Sequence, residues 1–295
     1  MIDIPDMIDD ITTSVSKGKC VLFLGAGVHA PSPPDVPWKY PNTLAPPFGG
    51  DLSQKLADDC GYLTDYPKCS PRELPRVAMH YELKPGKGRQ ALFNKVIAEV
   101  ETGKQPSPIL RALGELNFPL IVTTNYDSFF EKSLPLAKKP AIRIYEPKPN
   151  TNSPTADFGD LTEMSPGVCK IHGDLTRPDS LVITDEDYID FVLRMRDEDS
   201  IHPFPFTARY LMRKYPTLFI GYSLLDYNLR LFIKTLRMQL DPANFPRSYS
   251  VDPWPDQMVR AVWDYKRSWV WFVEEGVWSF VPALYKKVTG HDMPP

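Results

Sequence analysis

The feature that most constrains the fold is a short apolar run that stops at two closely spaced glycines. Residues 20–24 have the length and composition of a buried β-strand, and Gly25-Ala26-Gly27 follows without a single large side chain. Glycine permits a tight turn and the close approach of a ligand, and unpaired backbone amides in such a turn can hold an anion. The stretch is typical of a strand that leads into a diphosphate-binding loop, and the same pattern also occurs in ordinary tight turns.

The same succession of a buried strand, polar residues or glycine at its end, and a helix recurs along the chain. Further apolar runs at 119–125, 168–171 and 217–220 end at Thr124-Asn125, at His172-Gly173 and at Gly221-Tyr222-Ser223. Strands that are apolar throughout and alternate with helices predict a parallel sheet covered by helices on both faces. Such sheets bind ligands outside the carboxyl ends of their strands, so we expect these polar ends to meet in one crevice.

The remaining segments complete the alternation. An amphipathic helix is predicted over residues 5–17, and residues 51–118 are predicted to form a helical insertion. Additional strands are predicted at 141–145, 181–183, 247–251 and 268–273, and additional helices at 126–134, 185–195, 206–214, 225–240, 256–266 and 277–288.

Composition excludes several classes of protein. The 295 residues are 42% hydrophobic and 24% charged, which is ordinary for a globular chain with a substantial core. The net charge is −3 and the sequence has no long basic cluster that would bind a nucleic-acid backbone, so direct nucleic-acid binding is not expected. No apolar run approaches the roughly 20 residues that cross a bilayer. The acidic N-terminus lacks the pattern of a secretory signal, and we therefore expect a cytoplasmic protein without membrane association.

Four residues near the predicted strand ends can carry chemistry. His172 could act as a general base near neutral pH, with a structural histidine as the alternative. The amide of Asn125 could hold a sugar hydroxyl or orient a water, or it could cap the helix expected from residue 126. Asp127 either complements that helix start or hydrogen-bonds a carboxamide of the ligand. Asp174 either orients His172 or is an exposed turn residue, and the second role is slightly favoured.

Four motifs in a fixed order carry a family resemblance. Gly25-Ala26-Gly27, Thr124-Asn125-Tyr126-Asp127, His172-Gly173 and Gly221-Tyr222-Ser223 resemble the glycine-rich turn, the Asn-x-Asp motif, the His-Gly pair and the Gly-x-Ser segment of sirtuins. The longer stretches VLFLGAG, IVTTNYDSFFEKSL, KIHGDLTRPDSLVITDEDY and LFIGYSLLDYNLRLFI look more like the sirtuin-like domains of bacterial antiviral defence proteins than like protein deacylases. The resemblance covers about residues 15–285. It implies an α/β fold with a Rossmann-like, mostly parallel sheet, formed by one NAD-binding domain over residues 1–295.

Two departures from sirtuins limit what the resemblance implies. Deacylating sirtuins hold a structural zinc with two cysteine pairs between the His-Gly and Gly-x-Ser motifs, whereas residues 173–220 contain no cysteine. No metal site is therefore expected, and the helical insertion at 51–118 is predicted in place of the zinc module. Val28-His29 and a proline-rich loop follow the glycine turn where sirtuins have Ser and an Asp-Phe-Arg segment. The acyl-lysine tunnel and part of the nicotinamide pocket are therefore not carried over.

The resemblance implies cleavage of the nicotinamide–ribose bond of NAD+ by water, which releases nicotinamide and ADP-ribose and depletes cellular NAD+ in antiphage defence. It implies that His172 and Asn125 are catalytic. The residues expected to bind NAD+ are Gly25, Ala26, Gly27, Thr124, Asp127, Gly221, Tyr222 and Ser223. The alternatives are a regulatory subunit that binds NAD+ or ADP-ribose and, less favoured because the zinc cysteines are missing, an NAD-dependent deacylase.

Control and assembly follow from the same resemblance. A constitutive NAD+ hydrolase would be toxic, so the proline-rich loop at residues 31–47 is the expected gate of the site. Stand-alone domains of this kind resemble those that operate beside a hexameric DNA-translocating ATPase, which implies a homo-oligomer and a hetero-complex with such an ATPase. Five of the six tryptophans lie close together in the sequence, at Trp254, Trp263, Trp269, Trp271 and Trp278. Because tryptophan is enriched at interfaces, at least one of them is a candidate for a contact between subunits, and the alternative is that most of them are core residues.

Overall fold

A seven-stranded sheet in which all neighbouring strands are parallel forms the centre of the protein. The computed structural model describes residues 4–147, 157–195, 203–224, 227–237, 246–264 and 270–294. The strands are β1 (Val21–Leu24), β2 (Leu120–Thr123), β3 (Ala141–Ile144), β4 (Gly167–Lys170), β5 (Thr217–Ile220), β6 (Ser248–Val251) and β7 (Val270–Val273). Their order across the sheet is β3-β4-β2-β1-β5-β6-β7, so β1 lies at the centre.

Helices connect these strands. In the described part of the chain they are α1 (Ile4–Ser16), α2 (Gly49–Cys60), α3 (Tyr62–Asp65), α4 (Leu74–Leu83), α5 (Arg89–Val100), α6 (Pro108–Glu115), α7 (Phe129–Ser133), α8 (Asp185–Arg194), α9 (Phe206–Lys214), α10 (Tyr227–Arg237), α11 (Gln257–Asp264) and α12 (Val277–Thr289).

Successive side chains of β1 enter two different hydrophobic cores. Leu22 and Leu24 pack with residues of α1, α6 and α12 on one face of the sheet. Val21 and Phe23 pack with residues of α8, α9, α10 and α11 on the other face. Because side chains alternate along a strand, burial on both faces requires a strand that is apolar throughout. The predicted Rossmann-like parallel sheet with helices on both faces is confirmed.

The helices between β1 and β2 divide between two cores. Side chains of α2, α4 and α5 form a third core, which also contains Tyr126 and Ile183 from the loops that follow β2 and β4. In contrast, Ile109 and Leu113 of α6 belong to the core that also contains residues of α1 and α12, on one face of the sheet. The helical character expected over 51–118 is confirmed, and the division of the chain into a domain with an insertion stays a prediction.

One predicted element is wrong, and another is shorter than predicted. Residues 181–183 are buried but form no strand. Leu181 and Ile183 pack into the third core, whereas Val182 packs into the core of α8–α11 and donates a backbone hydrogen bond to the carbonyl of His172. The helix expected over 126–134 is shortened to α7. Parts of other predicted elements, at 225–226, 238–240, 265–266 and 268–269, lie outside the described residues.

The loops after β1 and β5 approach each other closely at glycines. Gly221 has a φ of +70°, and a Cβ on it would lie 2.1 Å from the backbone nitrogen of Val28. A Cβ on Gly27 would lie 2.8 Å from the Cα of Gly221. The Gly27 amide donates a hydrogen bond to the Gly221 carbonyl over 2.8 Å. These positions therefore require glycine for loop packing.

We expect Gly221→Ala to destabilise the protein by about 3 kcal/mol or more, because backbone strain and a backbone clash add together. Gly86→Ala is the matched control, since Gly86 also has a positive φ of +81° but a methyl group added there would meet no atom within 4 Å. The control should lose only about 1 kcal/mol. Urea unfolding of the two variants checks this, and equal losses would show that the clash is relieved at no cost.

Candidate functional site

The polar strand ends meet in one cavity of about 310 Å³ at the carboxyl edge of the sheet. Its wall contains eight of the ten residues predicted for the site: Ala26, Thr124, Asn125, Asp127, His172, Gly221, Tyr222 and Ser223. Gly27 lines a neighbouring cleft. Gly25 packs against the loop after β5, since a Cβ on it would lie 2.5 Å from the carbonyl oxygen of Gly221. The sequence patterns did not assign three groups of the wall: His29, Tyr188, and the apolar side chains of Leu52, Leu74 and Val100.

The amides of the glycine turn are largely occupied by protein carbonyls. Gly25 donates to Ile220 over 3.0 Å, and Val28 donates to Gly25 over 3.1 Å. The Gly27 amide is also bonded, as described above. The expectation that this turn offers unpaired amides is therefore wrong for these three groups. Gly25 and Gly27 allow the loops after β1 and β5 to interlock, and the interlocked loops form part of the cavity wall.

The side chain of Asn125 faces the glycine turn. Its Nδ2 donates to the carbonyl of Gly25 over 3.3 Å, and its backbone amide donates to Oγ1 of Thr123 over 3.0 Å. Helix α7 begins at Phe129, whose amide donates to the carboxylate of Asp127. The alternative in which Asn125 caps this helix is therefore wrong, and the residue lines the cavity instead.

Asp127 is paired with His29, a residue that the sequence marks only as a departure from the sirtuin pattern. Oδ2 of Asp127 lies 3.2 Å from Nε2 of His29, and both side chains are buried. Burial alone would raise the pKa of Asp127. The hydrogen bond with His29 and the positive charge of Lys170 act against burial, so that the pKa of Asp127 is lowered and the group is a carboxylate.

His172 is fixed by aromatic packing from α8. Its ring lies edge-on to Tyr188 at 5.2 Å and to Phe191 at 5.3 Å between ring centroids, and only 4% of the residue is exposed. The backbone turns sharply after it, because Gly173 has a φ of +88° and a Cβ there would lie 2.2 Å from the carbonyl oxygen of Ser180. Helix α8 thus packs directly against this imidazole. Sequence patterns carry no signal for that tertiary contact.

A buried lysine ties the loops after β2 and β4 together. Nζ of Lys170 pairs with the carboxylate of Asp174, lies 3.3 Å from Oε1 of Glu131 and donates to the backbone carbonyl of Asp127. Burial would raise the pKa of Asp174, but the charge and hydrogen bond of Lys170 and the hydrogen bonds of Thr176 lower it. Asp174 is only 5% exposed, so the expectation of an exposed turn residue is wrong.

Neither a metal cluster nor a membrane-spanning helix is found among the described residues. Within those ranges, no group of three or more His, Cys, Asp or Glu side chains is placed to hold a metal ion. Three of the four cysteines are buried free thiols, at Cys20, Cys60 and Cys169, whereas Cys69 is an exposed one. Among the helices of the described part, none combines the length and the apolar character needed to cross a bilayer.

The sheet and the crevice at its carboxyl edge define a Rossmann-like α/β protein. A match to the SIR2-like domain family covers residues 119–270, just over half of the chain, and the chain belongs to this family. The predicted sirtuin-like family is thereby confirmed.

Curated relatives agree with this assignment. The chain is similar to NAD(+) hydrolase ThsA of Acinetobacter baumannii (strain 532279), with 29% identity over 237 residues, which is 80% of this chain and 42% of the relative. It is also similar to NAD(+) hydrolase ThsA of Enterococcus faecium, with 27% identity over 79% of this chain and 43% of the relative. Defense-associated sirtuin 2 of Bacillus subtilis is 22% identical over 86% of this chain and 23% of the relative. The chain spans less than half the length of each of these relatives.

We expect Lys170→Met to destabilise the protein by about 3–5 kcal/mol, because it leaves buried carboxylates without their cation. Lys132→Met is the matched control. Lys132 pairs with Glu101 over 2.6 Å, but its side chain is 52% exposed, so its loss should cost less than about 1 kcal/mol. Chemical unfolding of both variants measures the difference. A loss below about 1 kcal/mol for Lys170→Met would mean that the cluster does not hold the loops together.

Proposed function

We propose that the cavity hydrolyses NAD+ to nicotinamide and ADP-ribose. The observation that carries the proposal is the convergence of Asn125 and His172 in one cavity, beside the interlocked glycine loops. The names of the relatives support the choice of substrate, since two of them are NAD(+) hydrolases.

The proposed reaction breaks the bond between the nicotinamide nitrogen and C1′ of the ribose. Nicotinamide leaves with the bonding electron pair, and positive charge develops at the sugar as in other glycosidic cleavages. A water oxygen then bonds to C1′. His172 accepts a proton from this water or from a ribose hydroxyl, and Asn125 orients the same groups through its amide.

A second cleft offers room for the rest of the dinucleotide. It has a volume of about 740 Å³ and shares Gly221, Tyr222 and Ser223 with the first cavity. Its wall also contains Gly27 and Trp254. We place the nicotinamide ribose in the first cavity, the diphosphate across the shared segment, and the adenosine half in the second cleft. The other predicted binding residues, Gly25, Ala26, Thr124 and Asp127, support this path from the loops after β1 and β2.

The loop at residues 31–47 borders both cavities and remains the proposed gate. Pro46 and Pro47 line the first cavity, and Pro31, Pro33 and Val36 line the second. A displacement of this loop would therefore change access to both halves of the substrate.

We further propose that NAD+ depletion serves antiphage defence together with a hexameric DNA-translocating ATPase, and that the chain also self-associates. The name Defense-associated sirtuin 2 of one relative supports the defence role. Exposed apolar side chains support an interface: Trp254 is 88% exposed, and Met258 and Val262 of α11 are also exposed. Trp263 and Trp278 are core residues, and Trp271 packs partly buried against the core. Trp269 lies outside the described residues.

Separate substitutions His172→Ala and Asn125→Ala should each reduce NAD+ consumption at least about 100-fold, since each removes a group that acts on the reacting atoms. His80→Ala is the control, because His80 lies in α4 and lines a different cavity. Chromatography of nicotinamide and ADP-ribose, with and without the ATPase, measures turnover. Equal consumption by all four proteins would refute the mechanism, and NAD+ binding without turnover under every condition would favour the regulatory subunit.

Met258→Asp should weaken association with the ATPase roughly 30-fold, because a charge would be buried in an apolar contact. Leu136→Asp is the matched control, since Leu136 is 94% exposed and lies far along the chain from α11. Light scattering of the chain alone and mixed with the ATPase measures both kinds of assembly. A clean monomer that does not associate, or equal weakening by both variants, would contradict the proposed interface.

A further inference from the structure

His29 is a polar group of the cavity wall that the proposed reaction does not use. It lies in the short turn after β1, lines the cavity and is 2% exposed. Its ring packs edge-on against Phe129, with 5.9 Å between the centroids. The hydrogen-bond partners of its two ring nitrogens determine which nitrogen donates and which can accept a hydrogen bond from a ligand.

The neighbours of Nε2 show where the proton of the imidazole sits. Nε2 lies 3.2 Å from Oδ2 of Asp127, and a carboxylate can only accept a hydrogen bond. Nδ2 of Asn125 also lies 3.3 Å from this Nε2, with one of its N–H groups donated to the Gly25 carbonyl. An amide nitrogen cannot accept a hydrogen bond, so the carboxylate of Asp127 is the acceptor beside Nε2. Nε2 of His29 therefore carries a proton and donates it to Asp127.

The other nitrogen of this ring has no partner. Nδ1 of His29 is buried and makes no hydrogen bond within the described part of the chain. In a neutral imidazole whose Nε2 is protonated, Nδ1 is an acceptor. A buried acceptor without a donor costs free energy, so a donor is expected to arrive with the ligand.

The cavity wall indicates which part of the ligand supplies that donor. The apolar side chains of Leu52, Leu74 and Val100 line the same cavity and suit a flat heteroaromatic ring. The carboxamide of nicotinamide carries two N–H donors beside such a ring. The ribose hydroxyls, in contrast, are the groups on which His172 acts in the proposed reaction.

We propose that His29 is a specificity-determining residue for the leaving group, with Nδ1 accepting a hydrogen bond from the carboxamide N–H of nicotinamide. Asp127 then acts through His29, which it orients, and need not touch the carboxamide itself. This assignment rests on the proposed NAD+ site. It gives Val28-His29, where the chain departs from sirtuins, a role in recognising the substrate.

The test uses His29→Gln, which keeps a donor toward Asp127 near the position of Nε2 but removes the acceptor at Nδ1. His80→Gln is the matched control, because Nε2 of His80 likewise lies 3.1 Å from a carboxylate oxygen, that of Asp65, outside this cavity. The ligands are NAD+ and its analogue with an acetyl group in place of the carboxamide, which has lost the N–H donors. Their dissociation constants are measured by calorimetry in the His172→Ala background, and kcat/KM is measured in the active protein.

The full chain and its His80→Gln variant should bind NAD+ about tenfold more tightly than the acetyl analogue. His29→Gln should weaken the affinity for NAD+ about tenfold and change the affinity for the acetyl analogue by less than about twofold. The preference for NAD+ over the analogue should therefore disappear. A preference that His29→Gln leaves intact, or an equal loss for both ligands, overturns the proposal. Should His29→Gln fail to fold, the absence of any preference in the unsubstituted chain overturns it as well.

Binding and turnover separate this proposal from the proposed function. If NAD+ binds but is never hydrolysed, the hydrolase function fails, and the ratio of dissociation constants still decides the role of His29. If NAD+ is hydrolysed but the ratio does not depend on His29, only the role of His29 fails. If NAD+ does not bind at all, both are wrong.

Discussion

A buried ammonium group is the interaction on which the geometry of the site depends. Lys170 ends β4 inside the protein, and its Nζ is shared between the carboxylate of Asp174, the carboxylate of Glu131 and the backbone carbonyl of Asp127. Removing a charge from water is costly unless several partners replace its hydration. The loops after β2 and β4 are therefore held at a distance that this cation sets, and these two loops carry Asn125 and His172.

The site is thus built from two layers of polar groups with different tasks. The deeper layer, with Lys170 and Asp174, has its charges mutually compensated and serves to hold backbone. The outer layer, with His29, Asn125 and His172, faces the cavity. Such a division lets the outer groups keep hydrogen-bonding capacity for a ligand without leaving the loops unsupported.

The sequence predicted the fold well because its strongest signals were local. Four-residue apolar strands followed by glycine or polar residues identified most of the sheet, and the convergence of strand ends follows from any parallel sheet. The failures came from tertiary contacts. Residues 181–183 look like a strand, but Leu181 and Ile183 pack into the third core. Asp174 looks like an exposed turn residue but pairs with the buried Lys170. The pairing of His29 with Asp127 joins residues far apart in the chain, so no pattern of spacing could reveal it.

The proline-rich loop at residues 31–47 is anchored on helix α12 and on the residues that follow it. Nε1 of Trp38 donates to the carbonyl of Pro294 over 2.9 Å, and the Trp38 ring lies 6.3 Å from that of Trp278 in α12. Helix α12 in turn packs on α1 and α6, on the same face of the sheet. The first turn of α12 also lines the second cleft, with Val277 and Trp278 in its wall. A displacement of α12 would therefore move a loop that borders both cavities, and a protein bound to this helix would alter the entrance to the site.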